Sequence, residues 1–200
     1  MQNNPSQRIL LATNNRHKIS EIQAILGSDW QIIGVSDVAP RLTWEEIGDS
    51  FLENARIKIA ALRPHFEGAI LADDSGLCVD ALNGRPGVHS SSYGGVEGDH
   101  YRNLNKLLSD MATIPAGRRG AHFYCLLLLS RADGRERIFE GRCDGSISLA
   151  PSGGGGFGYD PLFIPDGFDV SMADLTDDQK NLISHRGKAV RAFKDQMSSC

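Results

Sequence analysis

The chain has 200 residues and a formal net charge of −4, with a sequence isoelectric point of about 5.8. Hydrophobic residues make up 40% and charged residues 23%, proportions typical of a soluble globular protein, so a disordered or fibrous chain is excluded. The acidic balance argues against a broad surface for duplex nucleic acid. The longest apolar stretch, residues 123–129, is far shorter than a membrane span.

The four cysteines lie too far apart in sequence to form a CxxC pair: Cys78, Cys125, Cys143 and Cys200. Their spacing therefore matches none of the common zinc or redox motifs. Residues 1–7 are polar, and the apolar run that follows them is too short for a signal peptide. We expect free thiols and a cytoplasmic protein, because the cytoplasm is reducing.

The hydrophobic pattern of the first 81 residues alternates between strands and helices. It predicts helices at residues 19–26 and 51–62. It predicts strands at residues 8–12 and 30–35 and two further extended segments at residues 69–72 and 77–81. Gly27 ends the first helix, and Ser50 with Glu53 is expected to form a capping box at the start of the second.

The remaining residues add a hairpin and further helices. We expect helices at residues 99–111 and 188–197 and strands at residues 121–130 and 135–143. Residues 84–98 are expected to form a loop, and residues 153–158 a glycine loop. Asp133-Gly134 supplies the hairpin turn, and Ile147 with Leu149 favours a further strand. Thr176 and Gln179 form another capping box. This order predicts an α/β fold with a mixed central β-sheet flanked by helices, in a single domain over residues 1–200.

The turn between the first strand and the first helix carries hydroxyl, amide and cationic groups: Thr13, Asn14, Asn15, Arg16, His17 and Lys18. Backbone N–H groups at a helix start lack helical partners and lie at the positive end of the helix dipole. A phosphate group fits such a position, with Lys18 adding a charge. The spacing is not that of a Walker A loop. The alternative is an ordinary turn with a solvated lysine.

Two carboxylates, Asp73 and Asp74, follow the predicted strand at residues 69–72. Adjacent carboxylates repel unless water or a cation compensates their charge, and Mg²⁺ takes one or two carboxylates together with substrate oxygens. Because strand side chains alternate, we expect only one of the pair to face a given site. Glu45-Glu46 offers a second ligand. The alternative is a turn exposed to water.

A glycine-rich loop with two aromatic residues spans residues 153–161. Glycine lets a ligand approach the backbone closely, and an aromatic ring such as that of Phe157 can stack on a base. Lys180 and residues 184–188 add groups suited to a base edge and phosphates. The alternatives are a flexible surface turn with Phe157 packed inward and, for the later segment, a structural histidine on a solvated helix face.

Taken together, these segments resemble the inosine triphosphate pyrophosphatase family, whose members are also called non-canonical purine NTP pyrophosphatases. The match covers nearly the whole chain and includes Glu21, Phe51 and Glu53-Asn54-Ala55 beside the motifs already described. Its most specific part is a series of three motifs in this order: Gly84-Arg85-Pro86-Gly87, then Gly156-Phe157-Gly158-Tyr159-Asp160-Pro161, then Lys180 with Ser184-His185-Arg186.

The resemblance implies a Mg²⁺-dependent enzyme that converts ITP, dITP and XTP to the monophosphate and pyrophosphate. Such an enzyme keeps deaminated purines out of DNA and RNA. The resemblance also implies an elongated two-lobed α/β domain with a nucleotide cleft between the lobes. It implies a homodimer with no nucleic-acid or membrane partner.

Matched positions imply three groups of roles. Asp74 is the implied general base and also a metal ligand, together with Glu46. The implied triphosphate contacts are Thr13, Asn14, Asn15, Arg16, His17, Lys18 and Lys58. The implied contacts to the rest of the nucleotide are Ser75, Phe157, Gly158, Tyr159, Asp160, Lys180, His185 and Arg186, with Phe157 stacked on the base.

Two positions depart from the family pattern. Asn14 stands where glycine is common, and Ser90-Ser91-Ser92-Tyr93 stands where bacterial members often carry Ser-Ala-Arg-Tyr. Two alternative functions are a Maf-like pyrophosphatase acting on dTTP, UTP or modified pyrimidine nucleotides, and a non-catalytic nucleotide-binding module. The glycine-aromatic loop and the Ser-His-Arg segment argue against the first. The acidic pair argues against the second, because a simple anion-binding site gains nothing from carboxylates.

Overall fold

The computed structural model describes residues 7–198, with Ser198 described without its side chain. Most of the polar start, residues 1–6, together with the thiol of Cys200 and both ends of the domain predicted over residues 1–200, lies outside these residues. The described residues fall into two compact units. Unit 1 comprises residues 7–74, 125–141 and 186–198, and unit 2 comprises residues 75–124 and 142–185.

Six strands within residues 7–198 form one mixed sheet. They are β1 (Gln7–Leu11), β2 (Trp30–Ile33), β3 (Ile70–Val79), β4 (Gly120–Ser130), β5 (Glu136–Ile147) and β6 (Phe163–Pro165), in the order β2-β1-β3-β4-β5-β6. β1 pairs in parallel with β2 and β3, whereas β5 and β6 are antiparallel. This arrangement confirms the predicted α/β fold with a mixed sheet.

The described part of the chain contains six α-helices: α1 (Arg16–Leu26), α2 (Val35–Val38), α3 (Phe51–Leu62), α4 (His100–Asp110), α5 (Asp177–Ile183) and α6 (His185–Ser198). Gly27, with a φ of +79°, follows the end of α1 as predicted, and Asn15 caps its start. None of the helices in this part is both long and apolar enough to cross a membrane.

Each unit has its own apolar core. In unit 1 the core residues are Ile9, Leu11, Ile22, Leu26, Trp30, Leu71, Cys125, Leu127, Leu129, Phe139, Ala189, Val190 and Phe193. In unit 2 they are Leu77, Val79, Leu82, Leu107, Met111, Ala121, Phe123, Cys143, Ile147, Tyr159, Leu162, Phe163 and Met172. Ile9, Leu10 and Leu11 of β1 and Leu107 of α4 are fully buried.

Strand β3 is longer than predicted. It runs without a break over Ile70–Val79, so Asp73 and Asp74 lie inside the strand and not in a turn at its end. A side chain at Gly76 would collide with the backbone carbonyl of Gly87, so the strand passes this carbonyl closely because glycine lacks a Cβ. The predicted end at residue 72 and the alternative of a water-exposed turn are therefore wrong. Cations from elsewhere in unit 1, described below, compensate the buried carboxylates.

Strand β2 ends earlier than predicted, whereas β5 runs four residues past its predicted end at residue 143. After β2, the N–H of Gly34 donates to Asp37 Oδ2 at 2.8 Å, and this cap starts α2 instead of extending the strand to residue 35. β5 ends at Ile147, whose carbonyl accepts a hydrogen bond from Arg119 Nε at 2.7 Å. Leu149, which we expected in a strand, is 70% exposed.

Two helix starts also differ from the prediction. Ser50 Oγ accepts the N–H of Glu53 at 3.2 Å, but the Glu53 carboxylate binds the N–H of Asp49 at 2.8 Å, so only half of the predicted capping box forms. The box at Thr176 is complete. α6 begins at His185, three residues before the predicted start at residue 188, because the chain re-enters helical geometry directly after α5 ends.

Candidate active site

The structure gathers the predicted site residues into two groups, one in each unit. Unit 1 holds the turn before α1 together with Glu46, Lys58, Asp74 and Arg186. Unit 2 holds Ser75, which follows Asp74 directly on β3, and the remaining predicted contacts: Phe157, Gly158, Tyr159, Asp160, Lys180 and His185.

The turn before α1 satisfies part of its own hydrogen bonding. Asn15 Oδ1 accepts the N–H groups of His17 and Lys18 at 2.9 and 3.3 Å, and Thr13 Oγ1 accepts the N–H of Asn15 at 3.1 Å. These three N–H groups are therefore paired, contrary to our expectation, because a side-chain cap takes the place that we assigned to phosphate. Asn14, Arg16 and His17 are exposed on this turn.

Lys18 and Arg186 converge on Asp73 in unit 1. Lys18 Nζ lies 2.5 Å from Asp73 Oδ1 and Arg186 Nε lies 2.7 Å from Oδ2, while Arg186 also donates to Glu21 Oε2 at 2.6 Å. Burial opposes ionisation of Asp73, but the charges of Arg186 and Lys18 bring its pKa well below the ordinary value. The cation expected at the phosphates is thus held by a buried, ionised carboxylate.

Lys58 joins two further carboxylates in unit 1. Its Nζ lies 2.7 Å from Asp74 Oδ1 and 3.1 Å from Glu46 Oε1, and it donates to the carbonyl oxygen of Asp73 at 3.0 Å. Lys58 and Asp74 are buried, whereas the Glu46 side chain is 32% exposed. Glu45 is also exposed. Of the two neighbouring glutamates, Glu46, which we assigned as the second carboxylate, is the one that contacts Lys58.

The pKa values of Asp74 and Glu46 are displaced in opposite directions. Burial raises the pKa of Asp74 to about 6, against the lowering influence of the Lys58 ammonium. At Glu46 burial acts in the same sense, but the charge and hydrogen bond of Lys58 outweigh it and lower the pKa. A buried carboxyl with a raised pKa beside one that stays ionised can accept and release a proton near neutral pH.

Asp74 and Glu46 also have the donor chemistry for a magnesium ion. Asp74 Oδ2 is buried and has no hydrogen-bond partner among the described residues, so one carboxylate oxygen is available for a ligand. Mg²⁺ needs only one or two protein carboxylates, since water and phosphate oxygens complete its shell. Within residues 7–198 no group of three or more His, Cys, Asp and Glu residues is arranged to hold a metal. The pair therefore fits Mg²⁺ by the type of its oxygens.

Asp160 organises the glycine loop of unit 2. Its Oδ2 accepts the N–H of Phe157 at 2.8 Å and is 2.7 Å from Lys180 Nζ. Lys180 Nζ also lies 4.7 Å from the centroid of the Phe157 ring, within the range of a cation–π contact. Gly156 has a φ of +67°, and a side chain there would collide with the Asp160 carboxylate. Asp160 thus ties the Phe157 end of the loop to Lys180, a contact that the alternative of a flexible surface turn does not predict.

Two other predicted contacts in unit 2 are interior side chains. Tyr159 is 4% exposed, and its hydroxyl donates to the carbonyl of Ser90 at 2.8 Å. Burial raises the pKa of Tyr159. His185 stacks on Phe123 with ring centroids 4.7 Å apart and planes 12° from parallel. Gly158, with a φ of +63°, offers only backbone.

The two departures from the family pattern have simple structural settings. Asn14 does not adopt the left-handed conformation that glycine would favour, since Asn83 is the non-glycine residue with a positive φ among those described. At the second departure, the carbonyl of Ser91 accepts a hydrogen bond from Asn103 Nδ2 at 2.9 Å, and the carbonyl of Ser92 accepts the N–H of Gly95 at 2.8 Å. Ser90, which matches the family pattern, accepts the N–H of Leu77 through its Oγ at 2.9 Å and donates to the carbonyl of Gly87 at 2.6 Å. Ser90 therefore links β3 to the loop that follows it.

Sequence reasoning left two residues of unit 1 without a role. Asp73 and Glu21 hold Lys18 and Arg186, although neither was assigned to the site. The alternation of side chains along a strand indicated only that Asp73 and Asp74 face opposite sides, and it did not identify the partners of Asp73. Glu21 and Arg186 lie 165 positions apart in the sequence, so no local sequence pattern predicts their hydrogen bond.

Comparisons with known proteins agree with one another. The model of the Ham1 family matches residues 9–196. A dITP/XTP pyrophosphatase of Streptomyces coelicolor is 47% identical over 190 residues, covering 93% of this chain and 94% of the relative. One from Halalkalibacterium halodurans is 43% identical over 183 residues, covering 91% and 94%.

Solved structures show the same relationship. The Staphylococcus aureus Ham1 protein superimposes with a TM-score of 0.85 at 37% identity, covering 96% of this chain and 98% of its own. A Ham1 protein from Coxiella burnetii gives a TM-score of 0.87 at 33% identity, covering 97% and 100%. Sequence and structure therefore point to one family over nearly the full chain.

Proposed function

The chain belongs to the Ham1 family, and we propose that it is a nucleoside triphosphate pyrophosphatase that hydrolyses ITP, dITP and XTP to the monophosphate and pyrophosphate. The relatives named dITP/XTP pyrophosphatase support this substrate class and do not favour the pyrimidine or non-catalytic alternatives. Within this chain, one observation carries the proposal. Asp74, Glu46 and Lys58 combine a buried carboxyl of raised pKa, an ionised carboxylate and a buried ammonium group.

In this proposal, unit 1 binds the triphosphate. Lys18 is poised by Asp73, and an incoming polyanion competes with this carboxylate for the ammonium group. Lys58 is buried between Asp74 and Glu46, where the low dielectric strengthens its attraction for anions. The net charge of −4 does not oppose such binding, because local cations set the field that a ligand meets.

Glu46 and Asp74 are the residues that would hold Mg²⁺. When bound, Mg²⁺ would screen phosphate charge and lower the pKa of a coordinated water. Asp74 Oδ2, the buried oxygen without a described partner, is the atom best suited to this contact.

The proposed reaction is an attack of water on the α-phosphorus. Asp74 orients the water and accepts its proton, which is a role for a carboxylate whose pKa lies near neutrality. A bond forms between the water oxygen and the α-phosphorus, and the bond from this phosphorus to the bridging oxygen breaks. Pyrophosphate leaves with the electron pair of that bond, and Lys18 neutralises part of its charge. Asp74 then releases the proton to solvent.

Unit 2 reads the base in this proposal. The Phe157 ring offers a stacking surface, and Lys180 offers a buried donor beside it. Hypoxanthine and xanthine carry a carbonyl acceptor at C6, whereas adenine carries an amino donor. A buried donor facing C6 is left unpaired by adenine, which costs about 1–3 kcal/mol. The site therefore discriminates against ATP.

We further propose a homodimer, a single domain over residues 1–200 and a cytoplasmic location. The family match over residues 9–196 supports the single domain. Among the described residues, Cys78, Cys125 and Cys143 are free thiols, as suits a reducing compartment. The acidic balance supports a partner set without nucleic acid.

A substrate panel tests the proposal. The protein is incubated with Mg²⁺ and ITP, XTP, dITP, ATP, GTP or dTTP, and pyrophosphate and phosphate are assayed separately. We expect pyrophosphate from ITP, XTP and dITP. Preferential turnover of dTTP would support the pyrimidine alternative, and binding without turnover would support the non-catalytic one.

A pair of neighbouring glutamates provides a matched control for this assay. Glu46→Gln should lower turnover strongly, because it removes a charge from the group around Lys58. Glu45→Gln should leave turnover unchanged, because Lys58 pairs with Glu46 and no ion pair to Glu45 is present among the described residues. Equal effects of the two changes would remove Glu46 from the site.

A further inference from the structure

The segment that carries Glu46 belongs to no regular element. Residues 43–48 form neither helix nor strand, and the next side chain along, Ile47, is 77% exposed. The Glu46 carboxylate nevertheless lies 3.1 Å from Lys58 Nζ. Specific contacts must therefore hold this segment against α3.

Asn54 on α3 makes the first of these contacts. Its Oδ1 accepts the N–H of Gly48 at 2.8 Å, two residues after Glu46. Asn54 is 1% exposed and lies four residues before Lys58, so the two side chains project from the same face of the helix. One helix face thus binds both the segment and the carboxylate that the segment presents.

Gly48 allows the segment to lie close to α3 at this contact. A Cβ at Gly48 would lie 2.7 Å from the Glu53 Cβ, 2.8 Å from Asn54 Oδ1 and 3.0 Å from the Asn54 backbone nitrogen. Only a residue without a side chain reaches this position without displacing α3 or the segment. The identity of Gly48 therefore fixes the distance between the segment and the helix.

One buried atom of Asn54 is unfavourable for folding. Its Nδ2 is buried and has no hydrogen-bond partner among the described residues. An unpaired buried donor opposes folding, and such defects are tolerated where function requires the residue. Stability alone is therefore a poor account of Asn54.

We propose that Asn54 and Gly48 form a clamp that positions Glu46 for metal binding beside Asp74. Both are positioning residues, because they act through Glu46 and touch neither substrate nor metal. The inference rests on the proposed metal pair of the proposed function. It follows the general behaviour of outer-shell hydrogen bonds, which set the orientation of a ligand and with it the metal affinity.

Unit 2 contains a matched control for this clamp. Asn103 on α4 is 2% exposed, and its Oδ1 accepts the N–H of Gly94 at 2.6 Å. Its Nδ2 donates to the carbonyl of Ser91 at 2.9 Å. Asn103 therefore joins a glycine to a helix as Asn54 does, but it holds no proposed metal ligand.

The test measures Mn²⁺ binding to the purified full chain by electron paramagnetic resonance, without nucleotide. Loss of Mn²⁺ affinity in Glu46→Gln shows that the bound ion occupies the proposed site. We expect Asn54→Ala and Gly48→Ala each to weaken Mn²⁺ binding by about 10–100-fold. Asn103→Ala should lower the thermal unfolding temperature and leave Mn²⁺ affinity unchanged. Gly48→Ala changes no residue of α3, so it carries the test if Asn54→Ala does not fold.

The outcomes separate this inference from the function on which it rests. Wild-type affinity in Asn54→Ala and Gly48→Ala overturns the clamp while leaving the metal site in place. An equal loss of affinity in Asn103→Ala also overturns it, because the effect would then be general destabilisation. Absence of Mn²⁺ binding in the wild-type protein overturns the proposed metal pair and the clamp together.

Discussion

The two units of the molecule arrange their buried charges differently. In unit 1, four carboxylates and three cations lie in linked pairs: Glu21, Glu46, Asp73 and Asp74 with Lys18, Lys58 and Arg186. In unit 2, Asp160 and Lys180 pair beside the ring of Phe157. A triphosphate and its metal need several exchangeable charges, whereas a base needs a stacking surface and an oriented donor. The difference supports the proposal that unit 1 carries the phosphate chemistry and that unit 2 recognises the base.

Asp74→Asn is the change with the largest expected effect on activity. Asparagine keeps the shape of the side chain but accepts no proton, so kcat for ITP should fall by about 10²–10⁴-fold with KM little changed. Steady-state kinetics on ITP measure this. Asp133→Asn, at an exposed hairpin turn, is the control and should retain kcat. Near-normal turnover in Asp74→Asn would remove Asp74 from the role of base.

Asp73→Asn should have the largest effect on stability. It leaves the buried guanidinium of Arg186 and the ammonium of Lys18 without this carboxylate, and breaking a buried ion pair costs about 3–5 kcal/mol. Asp160→Asn in unit 2 should cost less, because an amide oxygen still accepts the N–H of Phe157. Denaturant unfolding compares the two variants. A greater loss in Asp160→Asn would contradict the contrast between the units.

The same Asp73 contact predicts an acid dependence. Because the pKa of Asp73 is lowered in the folded protein, its stabilisation is complete above the ordinary carboxyl pKa of about 3.9 and is lost as the pH falls. Wild-type stability should therefore decline more steeply below this pH than that of Asp73→Asn. Parallel declines of the two proteins would show that Asp73 is not ionised in the fold.

Phe157→Ala tests whether base recognition is separate from the phosphate chemistry proposed for unit 1. Loss of a stacking contact worth about 1–3 kcal/mol per base should raise KM for ITP by about 5–150-fold and leave kcat nearly unchanged. Inorganic tripolyphosphate has no base, so its binding should not respond to this change. Competition kinetics with tripolyphosphate as an inhibitor of ITP hydrolysis measure both effects. A fall in kcat at constant KM would place Phe157 in the chemistry instead.

The smallest expected effect lies at Tyr93, outside both groups. Its hydroxyl donates to Asp110 Oδ2 at 2.5 Å, and burial with this bond raises the pKa of Tyr93 to about 12. Hydrogen bonds from Lys106 and Tyr93 lower the pKa of Asp110, so their stabilisation is present at neutral pH and is lost as the pH falls. Tyr93→Phe should cost about 1 kcal/mol at pH 7.

Nuclear magnetic resonance should then find the pKa of Asp110 moved back toward its ordinary value in Tyr93→Phe. Turnover of ITP should be unchanged, because the proposed site uses neither side chain. A lower kcat in this variant would extend the site beyond the two groups described.

Local patterns predicted much of the fold. The helix end at Gly27 and the capping box at Thr176 depend on neighbouring residues, so the sequence predicts them directly. The full length of β3 could not be predicted from local sequence patterns. Asp73 and Asp74 look like turn residues until the cations that compensate them are known, and Arg186 comes from 113 positions away.

The candidate site shows the same limit. Motifs identified Lys18, Lys58 and Asp74, but the partners of these side chains depend on tertiary contacts. The N–H groups of the first turn illustrate this point, because only the folded geometry shows that Asn15 caps two of them. The contribution of Asn54 likewise depends on where Gly48 lies in space.

The most direct test of the account is the position of bond cleavage. ITP is hydrolysed in water enriched in ¹⁸O, and the monophosphate and pyrophosphate are separated and analysed by mass spectrometry. Attack at the α-phosphorus, guided by Asp74, predicts that the label enters inosine monophosphate and is absent from pyrophosphate. Label in pyrophosphate, or inorganic phosphate as the first product, would contradict the chemistry assigned to unit 1.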